Sequence, residues 1–322
     1  MEKQVFLSLF TAHLLDLAEC LWDSYASGSE LVLHEYARIV EDLEYERQKV
    51  RYFVGLLAYE EIPLGKINTL LSWFTLGTLK SSPLVKAVID SLVNHSANDN
   101  GESASFSKEA LITWLLRNLP DIADDLASIV SYSLHGGECI STSFTLLSEY
   151  GGILMQPDTI WLLSASLSPP FKRCGDTALK GGAPLQAEQL SHLRCLFNSA
   201  SDGLSLTRIV ETSFDYDGPL LLLLKAGDNS FCFACDEGLK NSWNPYGDRD
   251  SKVLQLEPRT SKRGFLAGHR PLESPVLEID ENFLTVRITG GLPVKIVSVE
   301  IWAAGAPTHL AKLRDLKKWN AK

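Results

Sequence analysis

The spacing of apolar residues changes near the middle of this 322-residue chain, and that change restricts what the chain can fold into. In the first half apolar residues recur every three or four positions, as in Leu7, Phe10, Leu14 and Leu17, which is typical of amphipathic helices. From Leu193 onward, short apolar runs alternate with Gly, Asp, Asn and Pro, which favours strands joined by turns. The sequence therefore predicts an α+β protein whose first half is all-helical.

The individual elements follow from the same patterns. A helical pattern continues over about residues 31–57, and Ser107 is predicted to cap a helix that ends before Pro120. Residues 220–226 and 230–235 are predicted to form a hairpin around Gly227-Asp228-Asn229. Because every position from 220 to 224 is leucine, that strand is expected to be buried on both faces. Further strands are predicted at residues 253–256, 276–279, 283–288 and 294–303.

Composition excludes some classes of function. The formal net charge is −10, which argues against a nucleic-acid-binding protein, because that class needs clustered Lys and Arg. No stretch reaches the roughly 18 apolar residues that a membrane span requires. The six cysteines show no disulfide-framework spacing, so a reducing, cytoplasmic location is expected.

Five short motifs in the second half follow one another in a recognisable order. An Ile-Leu-Met start at residues 153–155 leads to Pro169-Pro170, and a Leu-aromatic-x-Ser pattern occupies residues 196–199. Asp-Gly-x-Ser-Leu, Gly-Pro-x-Leu-Leu and Glu-x-Trp then occur at residues 202–206, 218–222 and 300–302. In this order the motifs resemble the TLDc domain of the eukaryotic oxidation-resistance proteins. Their proposed structural residues are Asp202, Gly203, Ser205, Leu206, Gly218, Glu300 and Trp302.

The resemblance implies three segments and a non-catalytic function. A helical domain would occupy residues 1–150, a TLDc-like β-sandwich with flanking helices residues 151–305, and a helical tail residues 306–322. The helical half is similar to the degenerate EF-hand-like region of the lysosomal, mTOR-associated TLDc proteins. The implied partner is the vacuolar-type proton ATPase, with effects on lysosomal and mTOR signalling or on oxidative-stress resistance. That partner would bring a cytoplasmic protein to the surface of the lysosomal or vacuolar membrane.

This sequence departs from the family pattern in two places. Phe231-Cys232-Phe233-Ala234 stands where family members usually carry Phe-Gly-Ala-Phe. A glycine-rich stretch expected between Pro258 and Val276 is shortened or replaced, since only Gly264 and Gly268 occur there. Any family function that depends on that stretch is uncertain in this chain.

The residues leave two alternative functions open. One is a thiol-based antioxidant enzyme acting through Cys232 or Cys235, although a strand would point these two residues to opposite faces. The other is a signalling scaffold that acts through the helical half. Glu300 is expected to lie in a buried pair or hydrogen bond, and a general-base role would need a second titrating group that the sequence does not identify.

No catalytic, cofactor-binding or metal-ligating residue is predicted. Asn98-Asp99-Asn100-Gly101 resembles part of a calcium loop. With Gly101 at its sixth position, that loop would have Ser96 first and Ser107 twelfth, where a working loop has Asp and Glu. Calcium binding is therefore not expected, and a polar turn before the Ser107-capped helix is the simpler interpretation.

Overall fold

The computed structural model describes two compact units within this chain. The helical unit comprises Met1–Thr145 and Trp161–Ser166, and the sheet unit comprises Leu146–Ile160 and Leu167–Lys322. The residues described are 3–8, 10, 12–25, 37–41, 45–77, 79, 82–96, 105–135, 152–167, 171, 193–240, 251–257, 261–264, 277–280, 282–288, 291–304 and 307–320. The segment 98–101, which resembles part of a calcium loop, and Gly268 lie outside these ranges.

The helical unit contains most of the helices. They are α1 (Lys3–Leu7), α2 (Leu15–Tyr25), α3 (Glu46–Gly55), α4 (Leu64–Phe74), α5 (Pro83–Ser96), α6 (Lys108–Asn118) and α7 (Asp124–His135). Their apolar faces pack together, and Phe53 meets Phe74 edge to face with ring centroids 6.2 Å apart. A short antiparallel ladder of β1 (Glu61–Pro63) and β2 (Ser105–Ser107) joins the loops of two consecutive helix–loop–helix segments.

The helical pattern over about residues 31–57 contains a break. Tyr45 is extended, with φ −91° and ψ 117°, and α3 begins only after it. Residues 37–41 are helical as well, so the described part of this stretch contains two helices. The apolar spacing did not reveal the break. Hydrophobic periodicity indicates which side chains share a face, but it does not report the backbone dihedral angles of a single residue.

The sheet unit is built on a curled antiparallel sheet of eight strands. The strands are β3 (Arg194–Asn198), β4 (Leu220–Ala226), β5 (Asn229–Cys235), β6 (Lys252–Glu257), β7 (Ser261–Gly264), β8 (Leu277–Ile279), β9 (Thr285–Ile288) and β10 (Val294–Ala303). Their order is β7-β6-β5-β4-β10-β9-β8, with β3 also paired to β10. The α+β prediction is confirmed, since the helices fill the first half and the sheet fills the second.

The predicted hairpin is confirmed as β4 and β5, which pair from Leu220 with Cys235 to Ala226 with Asn229. A two-residue turn closes it, with Gly227 at φ +59°. Leu220, Leu222 and Leu224 belong to the main core cluster, while the alternate leucines of β4 are buried on the opposite face. The run of five leucines is therefore buried on both sides, as its sequence predicted.

The strand predicted at residues 283–288 starts later than expected. Phe283 has φ +60°, a left-handed conformation outside the extended region of regular strands, and β9 begins at Thr285. The described α-helices that contribute to this unit are α8 (Pro157–Ser166), whose last six residues belong to the helical unit, α9 (Ser199–Asp202), α10 (Leu206–Ile209) and α11 (Pro307–Asn320). A short π-helix, Val210–Phe214, follows α10. No helix within the described ranges combines the length and apolar character that crossing a bilayer requires.

Candidate functional site

The central feature of the sheet unit is a buried carboxylate on its central strand. Glu300 lies on β10 with Leu223 of β4 opposite it on one side and Asn198 of β3 on the other. Glu300 is only 1% exposed, and it is the one buried charged residue among those that the structure describes. A charge in this position is costly unless its oxygens are well hydrogen-bonded.

Four N–H groups supply those hydrogen bonds. One carboxylate oxygen accepts from the backbone N–H of Ile153 at 2.5 Å and of Leu154 at 2.9 Å. The other accepts from the backbone N–H of Met155 at 3.0 Å and from the indole N–H of Trp302 at 3.1 Å. Successive backbone N–H groups of this kind form an anion-binding concavity. We call Glu300 with residues 152–155 and Trp302 the carboxylate cradle.

The cradle connects residues 153–155 to strand β10, and it is poorly suited to catalysis. A carboxylate has about four lone-pair directions, and Glu300 has a donor at each of them. No orientation remains free to take a proton from a substrate. None of the ion pairs among the described residues involves Glu300, so the expectation of a hydrogen-bonded structural carboxylate agrees with the geometry.

Gly152 makes this close approach of the chain to Glu300 feasible. A Cβ atom on Gly152 would lie 2.4 Å from a Glu300 carboxylate oxygen, well inside van der Waals contact. Gln156 strengthens the same turn by donating from its side-chain amide to the Gly152 carbonyl. Helix α8 starts directly after this turn, so Glu300 fixes the entry of that helix to strand β10.

The Asp-Gly-x-Ser-Leu motif forms the connection between two short helices. The Asp202 carboxylate accepts from the backbone N–H of Asn198 at 3.1 Å, and the Arg208 guanidinium donates to the Asp202 carbonyl. Gly203 has φ +73° and ψ 155°, a conformation almost restricted to glycine. Ser205 occupies the N-cap position of α10 without a side-chain cap bond, and Leu206 is partly buried against the core. These motif residues therefore determine the local course of the chain.

Helix α11 packs against the rest of the sheet unit at the Gly-Pro motif. A Cβ atom on Gly218 would lie 2.7 Å from the Tyr216 hydroxyl oxygen and 2.8 Å from Cγ of His309. His309 is on α11, and its Nδ1 lies 3.0 Å from the Asp217 carboxylate. The hydrogen bond with His309, and then that with Lys312, hold the pKa of the exposed Asp217 carboxyl below its usual value. Leu313 of α11 is buried in the main core cluster.

The Cys-x-x-Cys pair has the geometry of two separate core residues. Cys235 belongs to the main core cluster, whereas Cys232 pairs with Leu223 and Leu254 on the opposite face. The expectation that these thiols point apart is confirmed, and both are free. Burial raises the pKa of Cys232, and burial raises that of Cys235 to about 11. Both thiols are therefore protonated at neutral pH and poor nucleophiles.

The thiols of the two remaining described cysteines also have raised pKa values. Desolvation of the thiol raises the pKa of Cys20, with smaller contributions from neighbouring carboxylates. Cys195 lies on β3 opposite Trp302. Although the residue is exposed as a whole, desolvation of its sulfur and then the charges of Glu300 and Asp202 raise its pKa to about 11.

Ser107 acts as the helix cap that its sequence predicted. Its hydroxyl oxygen accepts from the backbone N–H of Ala110 at 3.2 Å at the start of α6. The segment before it, which resembles a calcium loop, lies outside the described residues. Within the described ranges no group of three or more His, Cys, Asp or Glu side chains is placed to hold a metal ion.

Residues 178–267 match the TLDc domain family. This chain contains a TLDc domain. The TLDc family is associated with oxidative-stress resistance and is generally non-catalytic. No curated protein matches the chain.

The TLDc match covers only some of the proposed motif residues. Asp202 to Leu206 and Gly218 lie inside it, while Glu300 and Trp302 follow it in the chain. Three further residues with a structural role were not singled out in the sequence: Gly152, Gly238 and His309. A glycine directly before an Ile-Leu helix start is a weak signal for Gly152, and no local signal marks the other two.

Proposed function

We propose that this TLDc protein is a non-catalytic regulator that docks on the vacuolar-type proton ATPase and thereby affects lysosomal or mTOR signalling and oxidative-stress resistance. The TLDc domain at residues 178–267 is the observation that carries the proposal. The cradle supports the non-catalytic part of the proposal, because the buried carboxylate of Glu300 already accepts four hydrogen bonds from the protein.

A docking protein changes the pump only through unequal affinity for two of its states. A tenfold preference for either the assembled or the separated pump corresponds to about 1.4 kcal/mol. Equal affinity for both states would leave their ratio unchanged, however tight the binding. The relevant quantity is therefore the ratio of two dissociation constants.

The test is a binding and disassembly assay with purified pump. We expect the full chain to bind the cytosolic sector with a Kd of about 10⁻⁶ M or lower, and to change the fraction of that sector released from membranes several-fold. Sedimentation of the membranes followed by quantification of the released sector measures the second effect. Absence of binding at concentrations well above 10 µM would contradict the proposal.

The thiol-based antioxidant alternative predicts a different outcome. Burial raises the pKa of Cys235 to about 11, so this thiol is almost entirely protonated at neutral pH, whereas catalytic thiols rely on a lowered pKa. We expect the Cys232→Ala, Cys235→Ala double variant to leave peroxide consumption by the purified protein unchanged. Loss of a measurable peroxidase rate in this variant, with its thermal unfolding preserved, would favour the enzyme.

The raised pKa values also predict how alkylation depends on pH. Because only the thiolate reacts, the rate of Cys195 alkylation by iodoacetamide should rise about tenfold per pH unit between pH 7 and 10. Mass spectrometry of the modified peptide measures this rate. A plateau near pH 8 would indicate an activated thiol and contradict the expectation.

A further inference from the structure

The turn that surrounds the Glu300 carboxylate is braced by hydrogen bonds in which Glu300 takes no part. The Gln156 side-chain amide donates to the Gly152 carbonyl, and the Gln156 backbone N–H donates to the Leu154 carbonyl at 3.0 Å. The Thr159 hydroxyl, in the first turn of α8, donates to the same Leu154 carbonyl at 2.9 Å. These contacts keep the three backbone N–H groups of the turn directed toward one point, whether or not a carboxylate lies there.

The fourth donor of the cradle is also held in place by other contacts. Trp302 is 2% exposed, and its backbone on β10 is paired with Leu221 of β4 on one side and Cys195 of β3 on the other. Its indole N–H therefore keeps its position through packing and strand pairing. Since all four cradle groups are donors, with two directed at each oxygen of Glu300, they match a planar carboxylate.

We infer that the cradle is a preformed carboxylate-binding site, that Glu300 fills it as an internal ligand, and that it binds a small free monocarboxylate once that side chain is removed. The inference is independent of the proposed docking on the pump. Its ligand is an anion, because four convergent N–H groups provide donors and no acceptor. The burial of the site strengthens these hydrogen bonds relative to those in water.

The covalent structure of glutamate determines which monocarboxylate fits. Glu300→Ala removes Cγ and the carboxylate group, which together have the size and shape of acetate. Glu300→Gly removes Cβ as well, so the space then corresponds to propionate. Because protein interiors are closely packed, formate would leave a methyl-sized void in Glu300→Ala, and propionate would collide with the alanine Cβ. The two variants should therefore prefer different ligands.

Thermal unfolding of the full-length variants at pH 7 in increasing sodium acetate or sodium propionate tests this inference. We expect acetate to raise the Tm of Glu300→Ala saturably, by about 3–6 °C at ten times a Kd in the millimolar range. Propionate should bind this variant about tenfold more weakly, and the order should reverse in Glu300→Gly. Sodium chloride at equal ionic strength is the reference. Acetamide should give no shift, because its NH₂ group would face donors.

Three further proteins are matched controls. In the wild type and in Glu300→Gln the cradle stays filled, so acetate should not change their Tm beyond the effect of chloride. Glu278→Ala removes a glutamate that is 44% exposed, and it should not respond either. If Glu300→Ala does not fold in buffer, it is refolded with acetate or with acetamide, and the recovered folded fraction replaces Tm as the measurement.

The outcomes are distinct. A response confined to Glu300→Ala and Glu300→Gly, with opposite ligand preferences, supports the inference. A folded Glu300→Ala that acetate stabilises no more than chloride overturns it, because the donors then do not stay in place. Equal responses of the wild type and Glu300→Ala, or equal folded fractions after refolding in acetate and acetamide, also overturn it. Pump binding by the wild type is measured separately, so none of these results changes the standing of the proposed function.

Discussion

Replacing Glu300 with alanine is expected to lower the free energy of unfolding of the sheet unit by about 3–5 kcal/mol. The change leaves the backbone N–H groups of residues 153–155 and the Trp302 indole without their acceptor. Each buried donor that loses its partner costs about 1–3 kcal/mol, and the costs do not simply add because the turn relaxes. Urea denaturation followed by circular dichroism measures the loss, and hydrogen exchange at residues 153–155 and 294–303 locates it.

Two controls separate the cradle from a general effect of losing a glutamate. Glu278→Ala removes a carboxylate that is 44% exposed and pairs with Arg287, and exposed pairs of this kind contribute at most about 1 kcal/mol. Glu300→Gln keeps one carbonyl oxygen but turns an NH₂ group toward two donors, so its loss should be intermediate. Equal stability of Glu300→Ala and wild type would show that the N–H groups have another acceptor.

Gly238→Ala is expected to have the second largest effect, a loss of about 3 kcal/mol or more in the free energy of unfolding. Gly238 has φ +82°, a backbone conformation that is unfavourable for alanine whatever surrounds it. A Cβ atom there would also lie 2.2 Å from the backbone carbonyl oxygen of Tyr216, which is not a flexible side-chain end. The carbonyl of Gly238 also accepts from the Cys235 thiol at 3.3 Å, so a shift of this turn disturbs the end of β5.

Gly203→Ala and Gly65→Ala provide a graded comparison. Gly203 has a similar φ of +73°, but a Cβ atom there meets nothing within 4 Å, so only the conformational cost of about 1–3 kcal/mol applies. Gly65 lies in helix α4 with open space and no positive φ, so alanine should leave stability unchanged or raise it by up to about 1 kcal/mol. Thermal and urea unfolding rank the three variants, and an equal loss at positions 238 and 203 would show that the steric contact relaxes freely.

The elements with a regular apolar period were predictable from sequence because period and burial have the same physical cause. β10 spans the predicted residues 294–303, and β4 is buried on both faces as five consecutive leucines required. The hairpin turn followed from a glycine and an aspartate between two apolar runs. Elements that depend on one residue's dihedrals were missed: the break at Tyr45 and the late start of β9 at Phe283 leave the apolar pattern unchanged.

The candidate site shows the same division. Glu300 was identified as unusual because a charged residue inside an apolar strand needs compensation. Three of the four compensating donors are backbone N–H groups of residues 153–155, which precede Glu300 by about 145 positions and carry no side-chain signature, and the fourth is the indole of Trp302 in the same Glu-x-Trp motif. The sequence therefore shows no second ionisable residue for Glu300, since its partners are backbone N–H groups and one indole.

Sequence alone determined the division into a helical and a β half, the hairpin, the order of the TLDc motifs and the oddity of Glu300, because apolar periodicity and motif order are properties of neighbouring residues. Only the tertiary structure decided how Glu300 is satisfied and why Gly152, Gly218 and Gly238 have no room for a side chain. Each of those facts joins residues far apart in the chain, and their separation in space is set by packing rather than by local sequence.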